Sequence, residues 1–297
     1  MKKHSAFTMI ELIFVIVIMG ILGKFGVEFM ANAYRSFIFT KVNNELLSNS
    51  ASAVEFIAKR LQYRIRDSVI ARQTKLGAPI KRQDMVSSTD YLVMEWVGAD
   101  NDGFRGRSMT GGVYLPTWSA IIDINPSTPT ALQSPMTNTA DINATIADLS
   151  GSTSSIADAA LYFIGSINDP LKGYGWDGDT TLIDTQKGTM HPITSTAVST
   201  QFASSTGTNF TDVSEFYKLA WTAYAIVNES GTLKLYWNYQ PWLGEHYYSA
   251  PNVKSSTIMD NVSSFEFFSK GSSIKIHVCT KTTLVEDYSL CKEKTIL

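Results

Sequence analysis

Residues 6–22, AFTMIELIFVIVIMGIL, hold a single carboxylate, Glu11, near the start of an otherwise apolar run. An ionised carboxylate alone in the hydrocarbon layer costs about 2.5–3.5 kcal/mol even on the gentler insertion scales, so its presence implies a partner charge. An amine made by cutting the chain just upstream would supply one.

Downstream of this run the helical pattern continues. From Phe25 to Ile70 there is no proline, and apolar residues recur at three and four: Met30, Ala33, Tyr34, Phe37 and Ile38, then Leu47, Val54, Ile57, Leu61 and Ile65. A helix from Phe7 to Ile70 would reach about 95 Å at 1.5 Å per residue, far more than a bilayer requires. Its outer half therefore needs a folded body against its apolar stripe. The expected organisation is a basic head at 1–6, a transmembrane half-helix at 7–29, an amphipathic half-helix at 30–70 and a β-rich globular domain at 71–297. Gly20, Gly23 and Gly26 weaken the helix by about 1 kcal/mol each relative to alanine. They fit either a helix that loosens on assembly or small contact points between helices.

The basic head Met1-Lys2-Lys3-His4-Ser5-Ala6, followed by Phe7-Thr8-Met9-Ile10-Glu11, resembles the class III leader of type IV pilins and type II secretion pseudopilins. The resemblance implies cleavage between Ala6 and Phe7 by a prepilin peptidase and N-methylation of Phe7. Glu11 would then be the fifth residue of the mature chain and act in filament assembly. It also implies a single-pass protein of the bacterial inner membrane with its bulk in the periplasm, and other pilin or pseudopilin subunits as partners. One departure is Ala6, where the family usually has glycine; slower or specialised processing is expected from it. Two other readings compete. A secretory signal peptide would use Ala31-Asn32-Ala33 as its cleavage site, but Lys24 and Glu28 separate that site from the apolar run. A plain anchor would leave Glu11 in the headgroup layer.

Charge argues against nucleic-acid binding by the globular part. Residues 1–70 hold nine Lys/Arg and five Asp/Glu out of totals of 25 and 27, which leaves the remainder with a net charge of −6. That sign lacks a basic footprint. The cluster Lys59, Arg60, Arg64, Arg66 and Arg72 reads as a solvated face near the helix end.

Beyond the helix the hydrophobic period changes to two. Leu219 to Val227 and Leu233 to Tyr239 read as strands joined by the turn Asn228-Glu229-Ser230-Gly231. Further strands are expected at Tyr91 to Val97, Trp118 to Ile124, Ala160 to Ile164, Ser263 to Phe268 and Ser273 to Cys279. Two Ser/Thr/Pro/Ala-rich stretches, Pro126 to Ser155 and Thr194 to Asn209, read as long surface loops. The fold class is α+β: a long N-terminal helix packed on an antiparallel β-sheet domain with long loops.

Cys279 and Cys291 are the two cysteines of the chain. Outside the cytoplasm an oxidising compartment favours their pairing, worth about 3 kcal/mol in the chain-entropy treatment. The spacing resembles the C-terminal disulfide loop of type IV pilins. Asp100-Asn101-Asp102-Gly103 and Asp177-Gly178-Asp179 offer oxygen ligands suited to calcium, which some pseudopilins bind. Neither completes a calcium-loop pattern, and such strings are also turn formers. The aromatics Tyr236, Trp237, Tyr239, Trp242, Tyr247 and Tyr248 fit core packing better than a partner surface. No GxSxG, HExxH or Walker sequence occurs, and His4, His191, His246 and His277 are scattered. The sequence therefore reads as a non-enzymatic minor subunit of low copy, nearest in its size to the large J-type pseudopilins. The rival from another class is a membrane-tethered enzyme or binding domain using the same leader.

Overall fold

The computed structural model describes residues 8–86, 90–106, 108–110, 113–166, 169–282 and 288–297. One helix, Met9–Gln62, runs unbroken for 54 residues through Gly20, Gly23 and Gly26. From Met9 to Lys41 its side chains are exposed, apart from half-buried Ile38. From there Val42, Leu46, Ser50, Ala53, Val54, Ile57, Ala58 and Leu61 form a buried stripe. The spacing of three and four turns one face of the outer helix onto the body. That packing starts at Val42, later than the stripe from Met30 suggests.

The helix also stops earlier than Ile70. Beyond Tyr63 the backbone is captured by a sheet: the Ile65 amide donates to the Val97 carbonyl at 2.9 Å, and the Ala99 amide donates to that of Tyr63 at 2.9 Å. Ile65, Val69 and Ile70 are all buried, so the apolar pattern that looked helical there belongs to a turn entering a strand.

The first sheet has the order Lys254–Met259, Thr232–Trp237, Thr222–Glu229, Val93–Gly98, Ile70–Arg72, Ile80–Lys81, with every neighbour antiparallel. Its two faces serve two cores. Ala71, Met94, Trp96, Ile226, Leu233 and Leu235 meet the helix residues Val54, Ile57 and Leu61. Ile70, Val93, Val97, Ala223, Ala225 and Val227 meet Tyr174, Trp176, Trp242 and Tyr247 on the other side. A C-terminal sheet of Val262–Lys270, Ser273–Lys281 and Ser289–Ile296 shares the helix-facing core through Phe265, Phe267, Ile276 and Val278.

The second six-stranded sheet has the order Tyr217–Ala220, Ala160–Phe163, Met190–Ser195, Gln201–Ser204, Ala131–Gln133, Asp123–Thr128. Leu219 to Val227 is thus not one strand. The segment leaves the second sheet at Ala220 and enters the first at Thr222, so Trp221 is the joint between the two sheets. Both expected loops also carry structure. Pro126 to Ser155 includes the helix Thr139–Ser150, which buries Ile142 and Ile146 and is capped by Asn138 before it and Gly151 after it, at φ 63°. Thr194 to Asn209 includes the strand Gln201–Ser204. The expected strand from Trp118 to Ile124 begins only at Asp123, because Trp118 turns into the core to donate its indole N–H to buried Asp100 at 3.1 Å.

Candidate functional site

Glu11 lies in the first turn of the long helix, where its carboxylate accepts from the Thr8 backbone amide at 3.0 Å and the Thr8 hydroxyl at 2.9 Å. Thr8-Met9-Ile10-Glu11 is therefore a capping sequence, in which the acid three residues into the helix reaches back to an otherwise orphaned N–H. The Thr8–Glu11 spacing is the sequence signal of such a cap. Ala6 and Phe7, the expected processing residues, lie outside the described residues. Glu11 itself is exposed, as are the apolar side chains that follow it. Among the described residues one helix is long and apolar enough to cross a membrane. Its uncovered part, Met9 to Lys41, spans about 50 Å against a hydrocarbon layer of about 30 Å.

Cys279 and Cys291 form a disulfide. They sit directly opposite each other on the strands Ser273–Lys281 and Ser289–Ile296, so the bridge fastens a hairpin rather than closing a free loop. The far strand lies along the helix: the Tyr288 hydroxyl donates to Asn43 Oδ1 at 2.8 Å, its ring stands 5.1 Å from that of Phe39, and Lys294 pairs with Glu55. The staple thus holds the strand that anchors the body to the helix. His277 lies beside the two sulfurs, but sulfurs already bonded to each other offer no thiolate to a metal.

The four aspartates considered for calcium are spread over local turns. Asp100 is buried, and its carboxylate accepts from the Gly103 amide at 3.1 Å and from Trp118. Asp102 is exposed in the following short helix. Asp177 accepts from the Asp179 amide at 3.2 Å, while Asp179 caps Thr181 and pairs with Lys172. Among the described residues these acids do not converge into a group of three ligands.

The basic cluster is not a solvated face throughout. Arg64 is buried and donates to the Leu61 carbonyl at 2.7 Å. Arg72 is buried too, with Nε 2.6 Å from Glu95 Oε1 and its other nitrogens on the carbonyls of Gly77 and Trp176. The aromatic group behaves as expected of a core: Tyr239, Trp242 and Tyr247 are fully buried.

His191 is a second buried titratable group. Gln186 spends its amide nitrogen on Pro192 and Ser204, so its carbonyl oxygen must accept from His191 Nδ1 at 3.0 Å. Nε2 is then a bare acceptor, without a partner among the described residues. Burial pushes this imidazole down to about 4. The unfolded chain takes up its proton near the ordinary value of about 6.5, so stability is full above that pH and is lost as the pH falls toward 4. About 3 kcal/mol should disappear over this window. In His191→Asn, whose amide nitrogen can take the Nδ1 position, the acid-dependent part should vanish. Urea unfolding of both proteins in detergent from neutral to acid pH measures this; parallel pH profiles would mean that folded His191 protonates freely.

Residues 1–23 match the sequence model of the prokaryotic N-terminal methylation motif. No curated protein and no solved structure matches the chain. The chain thus opens with a prepilin-type methylation motif that runs into a helix long and apolar enough to cross a membrane, a pair of features suited to a membrane-anchored, single-pass chain.

Proposed function

We propose that the chain is a low-copy subunit of a type IV pilin-like filament, held at or near its tip, in a type II secretion system, a type IV pilus or a DNA-uptake machine. The observation that carries this reading is the methylation motif continued by a helix that is left uncovered for about 50 Å and is apolar in its first part. A membrane anchor alone needs about 30 Å, and the surplus suits burial against the helices of other subunits. The bulky body supports the tip position, since a subunit of a closely packed shaft must fit neighbours on every side. Prepilin peptidase is then the processing partner, the body lies in the periplasm, and the work is assembly rather than catalysis. Among pseudopilins the large J type is the nearest analogue.

Processing is the first test. Mass spectrometry of chain purified from membranes should find methylated Phe7 at the N-terminus, and a host lacking prepilin peptidase should retain residues 1–6. Ala6→Gly should speed the cut if the larger side chain slows it. An N-terminus at Tyr34 would mean that a signal peptidase acts at Ala33, and the filament reading would fall.

A further inference from the structure

The disulfide hairpin carries more ligand chemistry than its bridge uses. In the register of the strands Ser273–Lys281 and Ser289–Ile296, Cys279 stands opposite Cys291 and His277 opposite Glu293. Residues two apart on a strand share a face, so these four occupy the corners of one rectangle on the sheet. It lies on the outer face: the alternate residues Ile276 and Val278 belong to the helix-facing core, whereas His277 is half-buried and Cys291 and Glu293 are exposed. One ligand atom from each of His277, Cys279 and Cys291 lies within 4.8 Å of the other two.

Those spacings suit a tetrahedral zinc ion. Bonds of about 2.3 Å to sulfur and about 2.0–2.1 Å to nitrogen put neighbouring sulfur and nitrogen ligands about 3.6 Å apart. The ring nitrogens of His277 stand 3.7 and 3.8 Å from Cys279 Sγ. The cysteine Cα atoms are 4.0 Å apart, so turning the two Cα–Cβ bonds lets a pair of thiolates straddle one ion at a separation of about 3.8 Å. Glu293 holds the fourth corner, and its exposed pair with Lys275 at 2.7 Å is cheap to exchange. Two thiolates and an imidazole favour a thiophilic cation over calcium or magnesium, which take oxygen ligands. The disulfide withholds the thiolates, and reduction supplies them.

We propose that the reduced hairpin binds one zinc ion through Cys279, Cys291 and His277 with Glu293 in the fourth position, and that ion and disulfide are alternative fastenings of the same two strands. A small disulfide such as oxidised glutathione converts one into the other. Its own sulfur–sulfur bond breaks as it takes two electrons from the two thiolates, the Cys279–Cys291 bond forms, two small thiolates leave, and zinc departs unchanged as Zn²⁺. Lys294 of the second strand pairs with Glu55 of the long helix, so either fastening secures the contact between body and helix.

Cobalt(II) is the probe, because a tetrahedral thiolate site gives it visible bands and a sulfur-to-cobalt charge-transfer band. Full-length chain in detergent is reduced with a phosphine and titrated with Co²⁺, then Zn²⁺. The reduced chain should take up one Co²⁺ with both kinds of band, Zn²⁺ should displace it, and oxidised glutathione should abolish the bands while restoring the disulfide. Zinc should raise the Tm of the reduced chain by several degrees and leave that of the oxidised chain unchanged. His277→Gln and Glu293→Gln should each weaken Co²⁺ at least tenfold, yet form the disulfide as the wild type does. The proposal is overturned if the reduced chain gives no tetrahedral bands, if the oxidised chain gives them too, if zinc leaves the reduced Tm unmoved, or if His277→Gln binds Co²⁺ as tightly as the wild type.

Discussion

Arg72→Met should destabilise the folded domain by about 3–5 kcal/mol, because it strands a carboxylate that has no route to water. Glu95 is 1% exposed and, among the described residues, keeps besides Arg72 only the Tyr239 hydroxyl, which donates to Oε2 at 2.9 Å. Burial already pushes the Glu95 carboxyl above its usual range, against the downward pull of Arg72 and Tyr239. Without the guanidinium that rise grows, so the variant should lose stability as the pH climbs past the unfolded value of about 4.3 and be least impaired below it. Arg72 also ties the Gly77 and Trp176 carbonyls to the sheet, and those losses do not depend on pH. Changing both charges to apolar residues, as in Arg72→Met with Glu95→Met, should lie closer to the wild type than Arg72→Met alone, since neither charge is then left unpaired. Urea unfolding of the single and double variants at neutral and acid pH measures both effects. A cost below about 1 kcal/mol for Arg72→Met would mean that water reaches Glu95.

This pair marks where sequence reading stops. The helix and most strands could be read because their cause is local: a period of 3.6 or of 2 in apolar residues, broken by turn formers. The Arg72–Glu95 pair is a tertiary fact, set by the register that places Ile70 opposite Glu95. One sign could have raised it, since Glu95 interrupts the strand Val93–Gly98, whose residues are all buried. A carboxylate there must find a cation. The helix Thr139–Ser150 was legible in principle from Ile142, Ile146 and Leu149 between Asn138 and Gly151, but Ser/Thr-rich composition outweighed its short period. The break at Trp221 had no such sign, because the alternation continues straight through the sheet change. At the N-terminus the charge of Glu11 stands out against an apolar run, whereas its capping role is carried only by the Thr8–Glu11 spacing. Both roles rest on one carboxylate, and they predict different variants.

If Glu11 acts in assembly, Glu11→Ala should leave cleavage and membrane insertion intact and yet remove the chain from the filament. In one chain the carboxylate only caps Thr8. Losing that frays only the end of a helix held elsewhere by its packed outer half, too little to unfold the body. In a filament the same position would be enclosed by apolar helices, where a carboxylate persists only beside a cation such as the methylated amine of a neighbouring Phe7. Glu11→Lys should be worse still, because it sets two positive charges together in a low-dielectric site. Glu11→Gln separates capping from charge: its amide oxygen can still accept from Thr8, but it offers the amine no anion. Each variant would be expressed in a strain lacking the gene, with co-purification of the other pilin-like subunits and transport as readouts. If charge pairing drives assembly, Gln should fail nearly as fully as Ala. If Gln assembles normally while Ala does not, the cap is what matters and the proposed pairing with Phe7 is wrong. Normal assembly of all three variants would reduce Glu11 to a helix cap on a tethered domain.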